Sequence, residues 1–210
     1  MNYRCQFSRG AWNEEDWAVI RSPRFENQGS WVQEEDHLAN AIPEGLDPSN
    51  PGQRMSELYA AMLYKKPLTK DCKVETICSF SDRMAPLIVF ARKITPIIEE
   101  HIEVVLYDGG LNIWHHLYND GKVTVKFLGF SDFQLSNRVR HRLSTEVRFG
   151  KSNKFLCVRF DNNSFWTRLP DDWPEEYYAG IVACEGHNHF YEFEISEPET
   201  SKTLQERLRW

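Results

Sequence analysis

The chain has 210 residues, enough for one substantial hydrophobic core, and a formal net charge of −6. That balance argues against nucleic acid, whose phosphates demand a basic surface, and no apolar run approaches the roughly 18 residues of a membrane span, so neither nucleic acid nor membrane is an expected partner. Five cysteines, at positions 5, 72, 78, 157 and 184, are odd in number and lack any CxxC spacing; Cys72, Cys78, Cys157 and Cys184 sit in apolar or alternating segments, where buried thiols are expected rather than disulfides.

In chain order, the opening MNYRCQFSRGAWNEEDW has no apolar leader segment, and a cytoplasmic protein is the expectation. Trp31 to Ile42 reads as an N-terminal strand, and residues 42–54, rich in Pro, Gly, Asn and Asp, read as a long loop. In SELYAAMLY, residues 56–64, the alanines permit a helix, but the aromatic spacing and the following Lys-Lys-Pro favour a strand. From there strand follows strand: Cys72–Phe80, Pro86–Lys93, Ile102–Asp108, Leu111–Tyr118, Lys122–Phe127, His141–Phe149, Phe155–Asp161, Ser164–Arg168, Ala179–Glu185 and Phe190–Ile195. Turn residues punctuate them at Asn119-Asp120-Gly121, Gly150 with Asn153, Asn162-Asn163 and Gly186. The polar tail, 199–210, frays or ends in a short helix. Many short strands without a competing helical period predict a single all-β domain, an antiparallel two-sheet β-sandwich over 1–210 with its core at about 31–198.

One hairpin departs from ordinary strand composition. In EVVLYDGGLNIWHHLYNDG, residues 103–121, Gly109-Gly110 is a two-residue turn signal, which sets Asp108 opposite Leu111. Counting outward, one face receives Leu106 with Ile113 and Val104 with His115, an apolar set suited to a core. The other receives Tyr107 with Asn112, Val105 with Trp114, Glu103 with His116, and His101 with Tyr118. A large ring beside a carboxylate, an amide and imidazoles suits a sugar or another polar small ligand.

Further candidates lie outside the hairpin. Alternation in APLIVFARKI puts Leu87, Val89 and Ala91 on one face and Ile88, Phe90 and Arg92 on the other, and Arg92 could fork a carboxylate or a pair of hydroxyls. Trp166 and Trp173 flank Asp171 and Asp172, a set that could line a site at the sheet rim. His187 and His189 form an H-x-H pair, whereas the adjacent His115 and His116 point oppositely and do not chelate together. No metal ligand set is assigned; calcium is a further candidate, because acidic and amide oxygens are plentiful, but no ligand spacing marks a site.

The succession KDCKVETICSF, APLIVFARKI, HIEVVLYDGGLNIWHH, NKFLCVRFDNNSFWTRL and YAGIVACEGHNHFYEFEI resembles the concanavalin A-like lectin and glucanase superfamily, over roughly Trp31 to Pro198. The most telling piece is Gly180-Ile181-Val182 ahead of an aromatic last strand. The resemblance implies a jelly roll of two curved antiparallel sheets with carbohydrate bound on or beside the concave one. The E-x-D-x-E strand of the superfamily's hydrolases is absent here, since Glu75, Glu103 and Glu192 have no Asp two residues later.

Three functions are therefore weighed. The first is a carbohydrate-binding protein whose site uses Arg92, Tyr107, Asn112, Trp114 and Trp166. The second is a glycoside hydrolase or polysaccharide lyase on the same fold, acting on an intracellular oligosaccharide with Glu103 and His116 as catalytic groups. The third is a structural or protein-interaction module whose aromatic face is covered by another subunit; oligomeric state is not legible in the sequence.

Overall fold

Period-two alternation decides which residues become strands, because each apolar position needs a sheet face turned to the core. The computed structural model describes residues 2–24, 29–42, 44–45, 59–81, 84–160, 163–184 and 186–198. In chain order the strands are β1 (Tyr3–Gln6), β2 (Trp17–Ile20), β3 (Trp31–Gln33), β4 (Leu38–Asn40), β5 (Ala60–Tyr64), β6 (Leu68–Thr69), β7 (Cys72–Phe80), β8 (Met84–Ala91), β9 (Glu100–Tyr107), β10 (Gly110–Asn119), β11 (Lys122–Asp132), β12 (His141–Phe149), β13 (Lys154–Phe160), β14 (Asn163–Arg168), β15 (Glu176–Ala183) and β16 (Asn188–Ser196). A single 3-10 turn, Glu14–Asp16, is the helical element among the described residues.

Two antiparallel sheets result. One runs β14-β13-β12-β7-β16-β4-β3, with β1 added beside β16; the other runs β11-β10-β9-β8-β15-β5-β2, with β6 against β15. Between them lies the main core, to which the second sheet contributes Ile88, Phe90, Ile102, Val104 and Ile113, and the first Val74, Cys78, Leu143, Leu156 and Phe193. The outer face of the second sheet is also partly apolar and covered, through a smaller cluster that includes Ile20, Leu63, Leu87, Val89, Ile98 and Val182. Its cover includes the connection from β8 to β9, tied to the segment after β2 by a bridge of Arg21 to Ile97 and by Ile98 N–H donating to the Arg21 carbonyl at 2.9 Å. At Gly180 a Cβ would stand 2.0 Å from the Met62 carbonyl oxygen, so β15 and β5 approach at a distance only glycine permits.

The expected sandwich is present, and the strands Cys72–Phe80 and His141–Phe149 have the expected bounds. Three features differ. The single strand expected over Trp31–Ile42 is a hairpin of β3 and β4, with Val32 opposite Ala39. Strand β11 continues five residues beyond Phe127, to Asp132. The polar opening supplies β1 and β2, one to each sheet, and buries Cys5, Phe7, Trp17 and Ile20, so the packed interior begins well before Trp31. Of segment 56–64, Ala60–Tyr64 is strand and 56–58 lie outside the described residues, as do most of the expected 42–54 loop and the tail 199–210. No described helix is long and apolar enough to cross a membrane.

Candidate functional site

The β9–β10 hairpin turns one residue earlier than its Gly-Gly pair suggests. Tyr107 pairs with Gly110, so Asp108 and Gly109 are the turn residues and Gly110 belongs to the strand. Gly110 has φ of +135°, and a Cβ there would meet the Ser131 carbonyl at 2.1 Å, which explains why glycine is needed. The register therefore differs from the expected one by two residues, with Glu103 opposite Trp114 and His101 opposite His116. A two-residue shift preserves faces, and the Glu103–His116 contact survives as a diagonal one.

On the outer face these residues form a buried polar cluster. Glu103, His101 and His116 are 4%, 2% and 3% exposed. Glu103 Oε1 accepts from the Tyr59 hydroxyl at 2.7 Å and lies 2.9 Å from His101 Nε2. His116 Nε2 stands 3.1 Å from Oε2 but is not aligned for a hydrogen bond. The two imidazoles stack, 4.7 Å apart and 7° from parallel. Burial alone would raise the Glu103 pKa, but the imidazoles beside it, His101 first, hold the carboxyl well below the usual range, so it is ionised. Burial lowers the His101 pKa, against the opposing pull of the Glu103 carboxylate. Burial and the adjacent carboxylate push the Tyr59 phenol up.

Glu103, His116 and Tyr59 reach a recess of about 210 Å³, which Asn112, Trp114 and Arg24 also line. A β-bulge lies beside it in β11. Ile113 pairs with Gly129 and Trp114 with Phe127, so Leu128 is the extra residue, and both Phe127 and Phe130 then face outward. The Phe127 ring lies 4.7 Å from Trp114 and 5.8 Å from Phe130, and the two phenylalanines are 48% and 51% exposed. An exposed aromatic ledge thus leads to a recess floored by buried polar groups.

Of the residues expected at a site, Glu103, Asn112, Trp114 and His116 come together. Tyr107 shares their face, but its ring covers the turn, with Cε2 2.7 Å from a hypothetical Gly109 Cβ, and it does not line the recess. Arg92 is not in the site. It lies on the opposite face at the sandwich rim, with Nε 2.5 Å from Glu100 Oε2 and a terminal nitrogen 2.6 Å from Asp172 Oδ2. Glu100 in turn meets His115 Nε2 at 2.8 Å. Trp166 is likewise elsewhere, on β14 of the other sheet and 41% exposed. Trp173 is fully buried in the core, and Asp171 pairs with Arg168, so the acid-and-tryptophan loop is a structural corner. His189 packs against His37 at 4.4 Å, on the other sheet.

Tyr59, Arg24 and the neighbouring Phe127–Phe130 ledge are features that sequence reasoning missed, and His101, placed on this face by the sequence, was given no role in the site. His101 carried a signal, since it alternates with Glu103; Tyr59 and Arg24 arrive from distant segments and carried none. Among the described residues, His101, Glu103 and His116 also form a group of donors within 4.8 Å of one another, close enough to hold a metal ion.

Neither a family model nor a curated protein sequence matches the chain. Solved structures do match its fold. A carbohydrate-binding module from Bacillus subtilis superposes with a TM-score of 0.57 at 10% identity, over 84% of this chain and 92% of its own. A family 16 glycoside hydrolase endo-glucanase from Bacteroides ovatus gives 0.62 at 12% identity, over 92% and 99%. Peanut lectin gives 0.60 at 9% identity, over 95% and 99%. The fold is the concanavalin A-like jelly roll.

Proposed function

We propose that the recess beside Trp114 binds carbohydrate. The observation that carries this reading is the meeting of an aromatic wall with buried hydrogen-bonding groups in one concavity, Trp114 and its neighbour Phe127 on one side, Asn112, Glu103 and His116 at the floor. A pyranose offers a C–H face to an aromatic ring and hydroxyls at its edge, and this arrangement matches both. The fold's likeness to a carbohydrate-binding module and a lectin supports the same reading.

Binding is favoured over hydrolysis or elimination. Hydrolysis by the common route needs two carboxyl groups flanking one bond, and among the described residues lining the recess Glu103 is the one carboxylate. A lyase acting with Arg92 is disfavoured because that side chain is on the other face, engaged by Glu100 and Asp172. The absence of disulfides among the described cysteines suits a cytoplasmic setting, where we place the protein.

The test is a glycan array on the wild type, followed by calorimetry of each hit with Trp114→Ala. Trp114→Ala is expected to weaken binding at least tenfold while melting close to the wild type. No binding to any glycan, or equal affinity in the variant, contradicts the reading. Exposure of Val125, Phe127 and Phe130 favours one rival, a protein-interaction face. Sedimentation equilibrium separates the two: a concentration-dependent dimer abolished by Phe127→Ser supports association.

A further inference from the structure

We infer that His101, Glu103 and His116 form a binding site for a divalent transition-metal cation at the floor of the recess. The inference stands whether or not the recess takes a sugar. Three observations support it. The first is proximity of donors: the ligand atoms all lie within 4.8 Å of one another, with His101 Nε2 2.9 Å and His116 Nε2 3.1 Å from the Glu103 oxygens. Tetrahedral zinc with bonds of about 2.0–2.1 Å sets its ligand atoms roughly 3.3 Å apart, so only small separations are required.

The second is charge. A glutamate carboxylate lies among residues at most 4% exposed, with imidazole nitrogens at 2.9 and 3.1 Å, and a dication held between these donors would balance its charge. The third is an unused donor. His116 Nε2 is buried, makes no hydrogen bond and stands 3.1 Å from the carboxylate. Nitrogen and carboxylate donors together select zinc, cobalt or nickel over calcium and magnesium, which prefer oxygen alone.

The surroundings also fit. The Tyr59 hydroxyl bonds Glu103 Oε1 at 2.7 Å, orienting the carboxylate from behind. Glu103 and His116 both line the recess, so three protein ligands leave the remaining coordination position on that side, open to water or a ligand oxygen. Two adjustments accompany binding. Each imidazole coordinates through Nε2 and carries its proton on Nδ1, so the His101 Nε2 hydrogen bond to Glu103 is exchanged for bonds to the metal; neither Nδ1 atom has a hydrogen-bond partner. The rings, now stacked 7° from parallel with centroids 4.7 Å apart, shift relative to one another so that both Nε2 atoms reach one ion.

The experiment uses the full chain, stripped with a chelator and dialysed. Zinc is titrated by calorimetry, and cobalt(II) by visible absorption, whose band intensity reports coordination number. The expected result is one ion per chain, with a zinc affinity more than about 100-fold above that for calcium. His116→Ala and Glu103→Gln should each lower zinc affinity by more than about 100-fold, and Tyr59→Phe by about 10–100-fold. His189→Ala, which alters a histidine pair on the other sheet, should bind as the wild type does. Should a site variant fail to fold, NMR of the wild-type imidazole nitrogens decides, with His101 and His116 Nε2 expected to shift on zinc addition. Sub-stoichiometric zinc, unchanged affinity in folded His116→Ala, or zinc-induced shifts confined to other histidines would overturn the inference.

Discussion

Tyr59→Phe removes one oxygen from the site and keeps the ring. The ring is buried, and its hydroxyl donates to an ionised Glu103 at 2.7 Å, so the substitution opens no large cavity and isolates a single charge-assisted hydrogen bond. Bonds of that kind contribute about 1.5–3 kcal/mol net, and deleting the donor leaves a largely buried acceptor in place. The carboxylate then keeps His101 as its aligned partner, with His116 close but misaligned. For a domain of this size each kcal/mol moves the melting temperature by about 2–4 °C, so a fall of about 3–12 °C is expected. Urea denaturation and calorimetry of chelator-treated wild type and variant at pH 7 give both quantities, and an unchanged m-value confirms that the folded and unfolded states are otherwise alike. A loss below about 0.5 kcal/mol, the usual effect of a neutral surface change, would refute the reasoning. Glu103 would then not be the buried, hydrogen-bonded anion on which the site is built.

Three other outcomes follow from the same structure. Gly180→Ala puts a methyl 2.0 Å from the Met62 carbonyl and 2.8 Å from Leu63 Cα, both backbone, so a loss at the upper end of the roughly 1–3 kcal/mol for overpacking is expected in urea, and a wild-type midpoint would contradict the β15–β5 pairing. Arg92→Ala should lower stability by about 1 kcal/mol, since the side chain is partly exposed, and leave glycan affinity within twofold; a large affinity loss would return Arg92 to the site. Burial pushes the Cys72 and Cys78 thiols up to about 12 and those of Cys5 and Cys157 to about 11. Unfolded thiols ionise near 8.5, so this contribution to stability is complete below that pH and is lost as pH rises through 11–12. The same four thiols should resist a disulfide reagent at pH 8 until urea is added, and labelling of the native protein at the rate of a free thiol would contradict their burial.

The faces of the β9–β10 hairpin were legible in the sequence because side chains alternate with a period of two, and that alternation survives a slip of two residues. Its register was not. Asp108-Gly109 and Gly109-Gly110 are both acceptable turns, and the choice rests on Ser131, whose carbonyl approaches Gly110 from a strand some 20 residues on. Glu103 and His116 were therefore matched correctly as neighbours and incorrectly as a direct pair. Arg92 shares the parity of Ile88 and Phe90; both faces of β8 are apolar, so which of them joins the Glu103 face was fixed only by the pairing of Val89 with Glu103. Trp166 stands on a strand of the other sheet, a fact of topology that local pattern does not encode. Phe127 and Phe130 are three apart and would face opposite sides of a regular strand; the bulge at Leu128 brings them together. Tyr59 is 44 positions from Glu103, and only the completed sheet brings the two into contact.

The central claim is that ligand enters the recess on the Trp114 face, and indole NMR of the protein during titration with a glycan hit tests it most directly. The seven tryptophans supply reporters on both sheets, with Trp114 beside the recess and Trp166 an exposed control on the other sheet. The expected result is a saturable shift of the Trp114 Nε1–H resonance, assigned by its loss in Trp114→Phe, while Trp166 stays fixed. Saturable binding that moves Trp166 and leaves Trp114 unmoved would place the ligand on the other sheet and contradict the account.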